Sequence, residues 1–201
     1  MAQTKINLDY GVDDIQTLEG VEAIRLRPGM YIGSIGPEGV KQITLEIISN
    51  AIDEYLNGSC NECNIEVNND NVIRIQDNGR GVPFGKAEDG SETLENIFTK
   101  LHTGAKFNSS GETGYNTSGG MNGVGAKATN SLSTYFIVSS IRDDQMATMK
   151  FEKGERKSFE VKSYPLSNGK TGTTITFLPD KTIFKESIEL NYEDLKNKFK
   201  N

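Results

Sequence analysis

The sequence predicts an α+β fold, a two-layer α/β sandwich whose sheet is mixed and mainly antiparallel. Two observations carry that reading. Helical segments and a β hairpin fill the first half of the chain, and the later part is a run of short β segments separated by turn residues rather than by helices. A chain of 201 residues, 35% hydrophobic and 25% charged, is also large and apolar enough to bury one core without staples.

The elements follow in order. Residues 15–24 suit a short helix ended by Arg27-Pro28-Gly29, because the residue before a proline avoids the helical region. Residues 33–39 are punctuation, and a long helix then runs from about 40 to 56, closed by Asn57-Gly58. Residues 61–67 and 72–76 read as strands joined by Asn68-Asn69-Asp70-Asn71. Residues 92–101 suit another helix. Residues 103–125 hold seven of the 21 glycines, mixed with Ser, Thr and Asn, and a loop this long is either a functional lid or disorder. A helix begins near Gly123 and runs to Leu132. Strands are expected at 134–141, 146–152, 157–163 and 173–178, with turns at Arg142-Asp143-Asp144, Lys153-Gly154 and Asn168-Gly169. A last helix spans about 192–199.

Composition narrows the function classes. Lys+Arg 22 against Asp+Glu 28 gives a net charge of −6, which argues against this segment gripping nucleic acid by itself. No apolar run approaches the roughly 20 residues of a membrane helix. Residues 1–10 lack a signal-peptide core. A cytoplasmic location without a membrane partner is therefore expected. Cys60, Cys63 and the single histidine, His102, fall short of a four-ligand zinc site or a disulfide framework.

Three constellations carry chemistry. Glu46, Asn50 and Asp53 are spaced by four and three, so they share one stripe of about 60° on the long helix, with isoleucine, leucine and alanine over most of the remaining surface. Such a stripe is either the solvent face or a site, with a carboxylate to deprotonate water and an amide oxygen to hold a hard cation. Asp77 shares a strand face with Ile73 and Ile75, where a carboxylate is costly unless a donor such as an adenine amine meets it. The alternative there is an ordinary Asp-Asn-Gly turn. Gly120-Met121-Asn122-Gly123-Val124-Gly125-Ala126-Lys127 suits backbone N–H groups meeting an anion, or else a surface loop. Ala126 and Ala128 break the P-loop pattern, no parallel βαβ unit precedes the segment, and His102-Thr103 is not a kinase catalytic His-Arg-Asp.

In this order, with Gly172-Thr173 behind them, these pieces resemble the ATP-binding fold shared by DNA gyrase B, Hsp90, histidine kinases and MutL (the GHKL, or Bergerat, fold). Further stretches narrow the resemblance to type IIA topoisomerase ATPase domains: Arg27-Pro28-Gly29-Met30-Tyr31-Ile32-Gly33, Leu101-His102-Thr103-Gly104-Ala105-Lys106-Phe107 and Ser118-Gly119-Gly120-Met121-Asn122-Gly123-Val124-Gly125. It covers the chain from about Tyr10 to Asp180.

The resemblance implies a set of roles. Glu46 would be the general base, Asn50 would hold Mg²⁺, and Asp53 would line the same site. Asp77 and Thr173 would receive the adenine, with Arg80, Gly81, Val82 and Pro83 flanking it and Ile47, Ile75 and Ile175 as apolar wall. Lys106, Lys127 and the backbone of Gly119, Gly120, Met121, Asn122, Gly123, Val124 and Gly125 would hold the phosphates of ATP. Tyr10, in an N-terminal arm of residues 1–14, would reach the partner's site in an ATP-closed homodimer, and residues 15–201 would form the ATPase domain with a lid at about 102–125. The implied activity is ATP hydrolysis driving dimer-gate closure and DNA strand passage. Transducer and DNA-cleavage domains, and with them contacts to an A-type subunit and DNA, are expected outside this chain. A chaperone or mismatch-repair type module, or one that binds ATP with little turnover, is the alternative. Thr148 stands where bacterial gyrases carry an arginine at the pocket mouth, which implies weaker binding of aminocoumarin-type inhibitors.

Overall fold

The computed structural model describes residues 20–100, 123–165 and 170–185. Its helices are α1 (Gly20–Leu26), α2 (Gly29–Ile32), α3 (Pro37–Leu56), α4 (Thr93–Thr99) and α5 (Gly125–Ser131). Its strands are β1 (Cys63–Val67), β2 (Ile73–Asp77), β3 (Ser133–Arg142), β4 (Gln145–Glu152), β5 (Glu155–Ser163) and β6 (Gly172–Pro179). The predicted helix at 192–199 and the start of the first helix lie outside the described residues. So does most of the glycine-rich segment.

The six strands form one sheet in the order β1-β2-β6-β3-β4-β5, and every neighbouring pair is antiparallel. Local chemistry sets the hairpins. Asn68 Oδ1 accepts the N–H groups of Asp70 and Val72 to fold the β1–β2 turn. Asp143 and Asp144, at φ 51° and 57°, supply the left-handed pair that a two-residue hairpin loop between β3 and β4 needs. β6 joins the hairpin to the meander, pairing with β2 on one side and β3 on the other.

One face of the sheet is buried under the helices. Ile73 and Ile75 of β2, Ile175 and Phe177 of β6, Phe136 and Val138 of β3, and Ala147, Met149 and Phe151 of β4 alternate with less buried residues on the other face. Phe136 is the hub: its ring lies 5.2 Å from Phe98, 6.1 Å from Phe151 and 6.4 Å from Phe177. Tilted pairs of this kind each contribute about 1 kcal/mol beyond area burial.

Pro37 starts α3 at the position where its missing N–H costs nothing, so the helix begins three residues before the expected 40. It ends at Leu56, and Gly58 takes φ 72° as anticipated. Arg25 fastens α1 across the helical layer, donating to the Ser131 carbonyl at 2.6 Å and to Asp180 Oδ2 at 2.7 Å. α2, a four-residue helix, occupies residues to which the sequence reading assigns no element.

Candidate active site

The site is built along α3. Glu46, in the middle of the helix, is 8% exposed, and its Oε1 accepts a hydrogen bond from Gln42 Nε2 at 2.8 Å. Gly125, which opens α5, lies against the other carboxylate oxygen. A Cβ at Gly125 would fall 1.9 Å from Glu46 Oε2 and 2.7 Å from Glu46 Cβ, so only glycine lets the two helices meet here. One turn along, Thr129 Oγ1 donates to the Ile43 carbonyl at 2.9 Å and locks α5 onto α3. Asn50 is exposed one turn past Glu46. Asp53 is buried.

The far end of the stripe meets the end of β2. Glu54 accepts from Arg80 Nη2 at 2.7 Å and from Arg80 Nε at 3.0 Å, a bidentate pair that holds the guanidinium against the C-terminal end of α3. Asp77 Oδ1 accepts the N–H groups of Gly79 at 2.9 Å and Thr173 at 3.2 Å. Among the described residues both of these N–H groups go to one oxygen, which leaves Oδ2 for a ligand donor. Burial raises the Asp77 pKa above the usual carboxylate range, against the lowering effect of those two N–H groups. Gly172, at φ 141°, backs this turn; a Cβ there would sit 2.1 Å from the Asp77 carbonyl. Ser140 Oγ donates to the Val82 carbonyl at 2.7 Å and pins the 78–83 loop over the sheet end. Glu46 and Glu54 are eight residues apart, about 12 Å along the helix axis. The middle of α3 therefore carries the acid at Gly125, and its C-terminal end serves Asp77.

Lys127 is 2% exposed in the first turn of α5, its Nζ donating to the Gly123 carbonyl at 2.5 Å, and burial lowers its pKa to about 8. A buried ammonium held down this way favours a nearby anion. Cys63, exposed on the edge strand β1, is the register partner of Asp77.

The structure thus brings Glu46, Asn50 and Asp53 onto one helix, and sets Arg80, Gly81, Val82 and Pro83 in the loop after Asp77, with Thr173 across from it. Gly123, Val124, Gly125 and Lys127 gather at the start of α5. Tyr10, Lys106, Gly119, Gly120, Met121 and Asn122 lie outside the described residues. Thr148 is a correction: its hydroxyl faces Ser139 at 3.2 Å, in a row with Thr174 on the sheet face turned away from the helices, while Ala147 occupies the face shared with Asp77 and Thr173. Sequence reasoning missed Glu54 as the partner of Arg80; its place four residues after Asn50, on the edge of the stripe, was the available signal.

Comparison with known proteins identifies the family and the fold. The family model described as "Histidine kinase-, DNA gyrase B-, and HSP90-like ATPase" matches residues 36–183. The B-type subunit of DNA topoisomerase 4 from Staphylococcus aureus, in strains MW2 and N315 alike, is 46% identical over 187 residues, 93% of this chain and 28% of the relative. The chain therefore spans little more than a quarter of the length of these relatives. The 43K ATPase domain of Thermus thermophilus gyrase B, solved in complex with an aminocoumarin, superposes with a TM-score of 0.74 at 34% identity over 90% of this chain and 44% of that one. By family match, fold and the arrangement of its acids, the chain belongs to the histidine kinase-, DNA gyrase B- and Hsp90-like ATPases.

Proposed function

We propose that the chain binds ATP between α3, the end of β2 and the start of α5, and hydrolyses it as the ATPase domain of a type II topoisomerase of the gyrase B or topoisomerase IV B kind. The observation that carries the reading is Asp77: a half-buried carboxylate whose Oδ1 is saturated by two backbone N–H groups, leaving Oδ2 to accept an adenine amine. Thr173 stands beside it and Arg80, braced by Glu54, covers the ring.

Phosphoryl transfer to water needs positioning and charge neutralisation more than covalent chemistry. Glu46 sits two turns from the adenine end, walled by Gly125, and takes the proton of the attacking water as general base. The Gly123–Gly125 backbone and Lys127 neutralise phosphate charge, joined by Lys106 and residues 119–122. Asn50 offers one neutral oxygen on the exposed side of the same stripe, and among the described residues no three acidic, His or Cys side chains gather to hold a metal unaided. That donor set suits Mg²⁺, which would be held by Asn50 with phosphate oxygens and would supply further charge neutralisation. In the longer protein, ATP would close a homodimer through the N-terminal arm and Tyr10, driving strand passage through an A-type subunit and DNA. Aminocoumarin-type inhibitors would compete at the adenine end.

Titrating the chain with ADPNP, a slowly hydrolysed ATP analogue, with and without Mg²⁺, tests the site. Glu46→Ala should bind ADPNP and lose hydrolysis; loss of binding instead would move Glu46 from catalysis to structure.

A further inference from the structure

The sheet face opposite Thr173 carries a cleft of about 530 Å³. That volume is in the range of small-molecule sites, roughly 300–1,000 Å³. Its floor is a row of register partners on three adjacent strands: Asn64 on β1, Gln76 on β2 and Thr174 on β6. Glu62 stands at the β1 side, and Lys170 with Thr171 at the start of β6. Ile141 and Tyr164 add apolar surface.

Existing bonds decide what the cleft has left to offer. Asn64 Nδ2 donates to Glu62 Oε1 at 2.7 Å, so among the described residues the β1 side keeps the second Glu62 oxygen and the Asn64 carbonyl, both acceptors. Gln76 Oε1 accepts from Arg74 Nη2 at 2.7 Å, which leaves the Gln76 amide hydrogens as donors. The β6 side holds two threonine hydroxyls and the Lys170 ammonium. An anionic, accepting end therefore faces a cationic, donating end across two strand spacings, about 10 Å. The cleft also borders the candidate active site, since Asp77 and Gly172 line its wall and Gly172 packs on the Asp77 carbonyl.

We propose that this cleft is a second small-molecule site that takes a zwitterion of dipeptide size, its ammonium on Glu62 and its carboxylate on Lys170 and Thr171, with an apolar side chain against Ile141 and Tyr164. Opposite charges at the two ends fix the orientation of such a ligand and reject molecules with a single charge. The proposal stands apart from the nucleotide reading, because the dipeptide titration has its own readout.

The probe is the dipeptide Gly-Phe, followed by amide chemical shifts in an assigned nitrogen–proton NMR spectrum of the chain. The expected result is saturable shifts centred on Gln76, Gly172 and Thr174, with a Kd on the order of 1 mM for so small a ligand, unchanged by saturating ADPNP. N-acetylated and C-amidated Gly-Phe should each bind at least about fivefold more weakly, as should Gly-Phe itself to Glu62→Gln and Lys170→Met. Both residues are exposed, so the variants keep the fold. No saturation by about 10 mM, displacement of the dipeptide by ADPNP, or equal binding of the capped peptides would overturn the proposal.

Discussion

Gly125→Ala separates the position of the general base from the existence of the site. The added methyl would lie 1.9 Å from Glu46 Oε2, 2.5 Å from Cδ and 2.7 Å from Cβ, where ordinary contacts begin at 3.4 Å. The carboxylate must retreat by the difference, about 1.5 Å, since the α5 backbone is pinned by Thr129 to Ile43. A displacement of roughly 1 Å of a reacting group costs about a hundredfold in rate. Stability changes less: overpacking costs about 1–3 kcal/mol. A loss of up to about 3 kcal/mol lowers Tm by at most about 12 °C in a chain this size. Single-turnover hydrolysis of ATP should fall about a hundredfold while the ADPNP Kd stays within about threefold. Combined with Glu46→Ala, which removes two of the three clashing atoms, Gly125→Ala should cost less stability than it does alone. A Gly125→Ala chain that hydrolyses ATP at the wild-type rate would refute the reasoning, because Glu46 would then not be held in place by this contact.

Three further outcomes follow from the same geometry. Arg25→Ala strands the 2%-exposed Asp180 and should cost about 3 kcal/mol at pH 7. Burial raises the Asp180 pKa, but the Arg25 and Thr182 donors outweigh it and leave it lowered, so the stabilisation is complete above about pH 4 and lost as pH falls through the folded value; melts from pH 7 to 3 should show variant and wild type converging. Lys127→Met should stabilise the ligand-free chain at pH 7. With the folded amine at about 8, the unfolded chain binds more protons between pH 8 and 10.5, so wild-type stability should rise on the order of 2 kcal/mol across that window and the variant's should stay flat in urea titrations. Asp77→Asn keeps an oxygen for Gly79 and Thr173 and removes a charge disfavoured by burial, so it should stabilise the ligand-free chain by about 1 kcal/mol, read as a higher Tm, while abolishing ADPNP binding in calorimetry.

Much of this was legible in the sequence wherever the cause is local. Apolar periodicity fixed α3, and the Asn57-Gly58 end closed it where expected. The turn residues Asp143-Asp144 and Lys153-Gly154 marked the meander, because a positive φ at those places is a property of the dipeptide and not of its surroundings. The polar stripe put Glu46 and Asn50 on one helix, where α3 carries them. Long-range geometry was not legible. That Thr173 lies across from Asp77 depends on β6, about a hundred residues later, inserting between β2 and β3. The Glu54–Arg80 pair spans 26 residues and needs the hairpin to fold back along the helix. The face on which Thr148 lies is set by strand register, where a shift of one residue exchanges the two sides of the sheet. The four-residue α2 is shorter than any periodicity can signal.

In the proposed complex one nucleotide spans α3 from Asp77 to Glu46. A crystal structure of the chain soaked with ADPNP and Mg²⁺ decides this. The expected result is an adenine amine within hydrogen-bond reach of Asp77 Oδ2 and the terminal phosphate on the Glu46 side of Asn50. Nucleotide bound elsewhere, or lying with its base at Gly125 and its phosphates at Asp77, would contradict it.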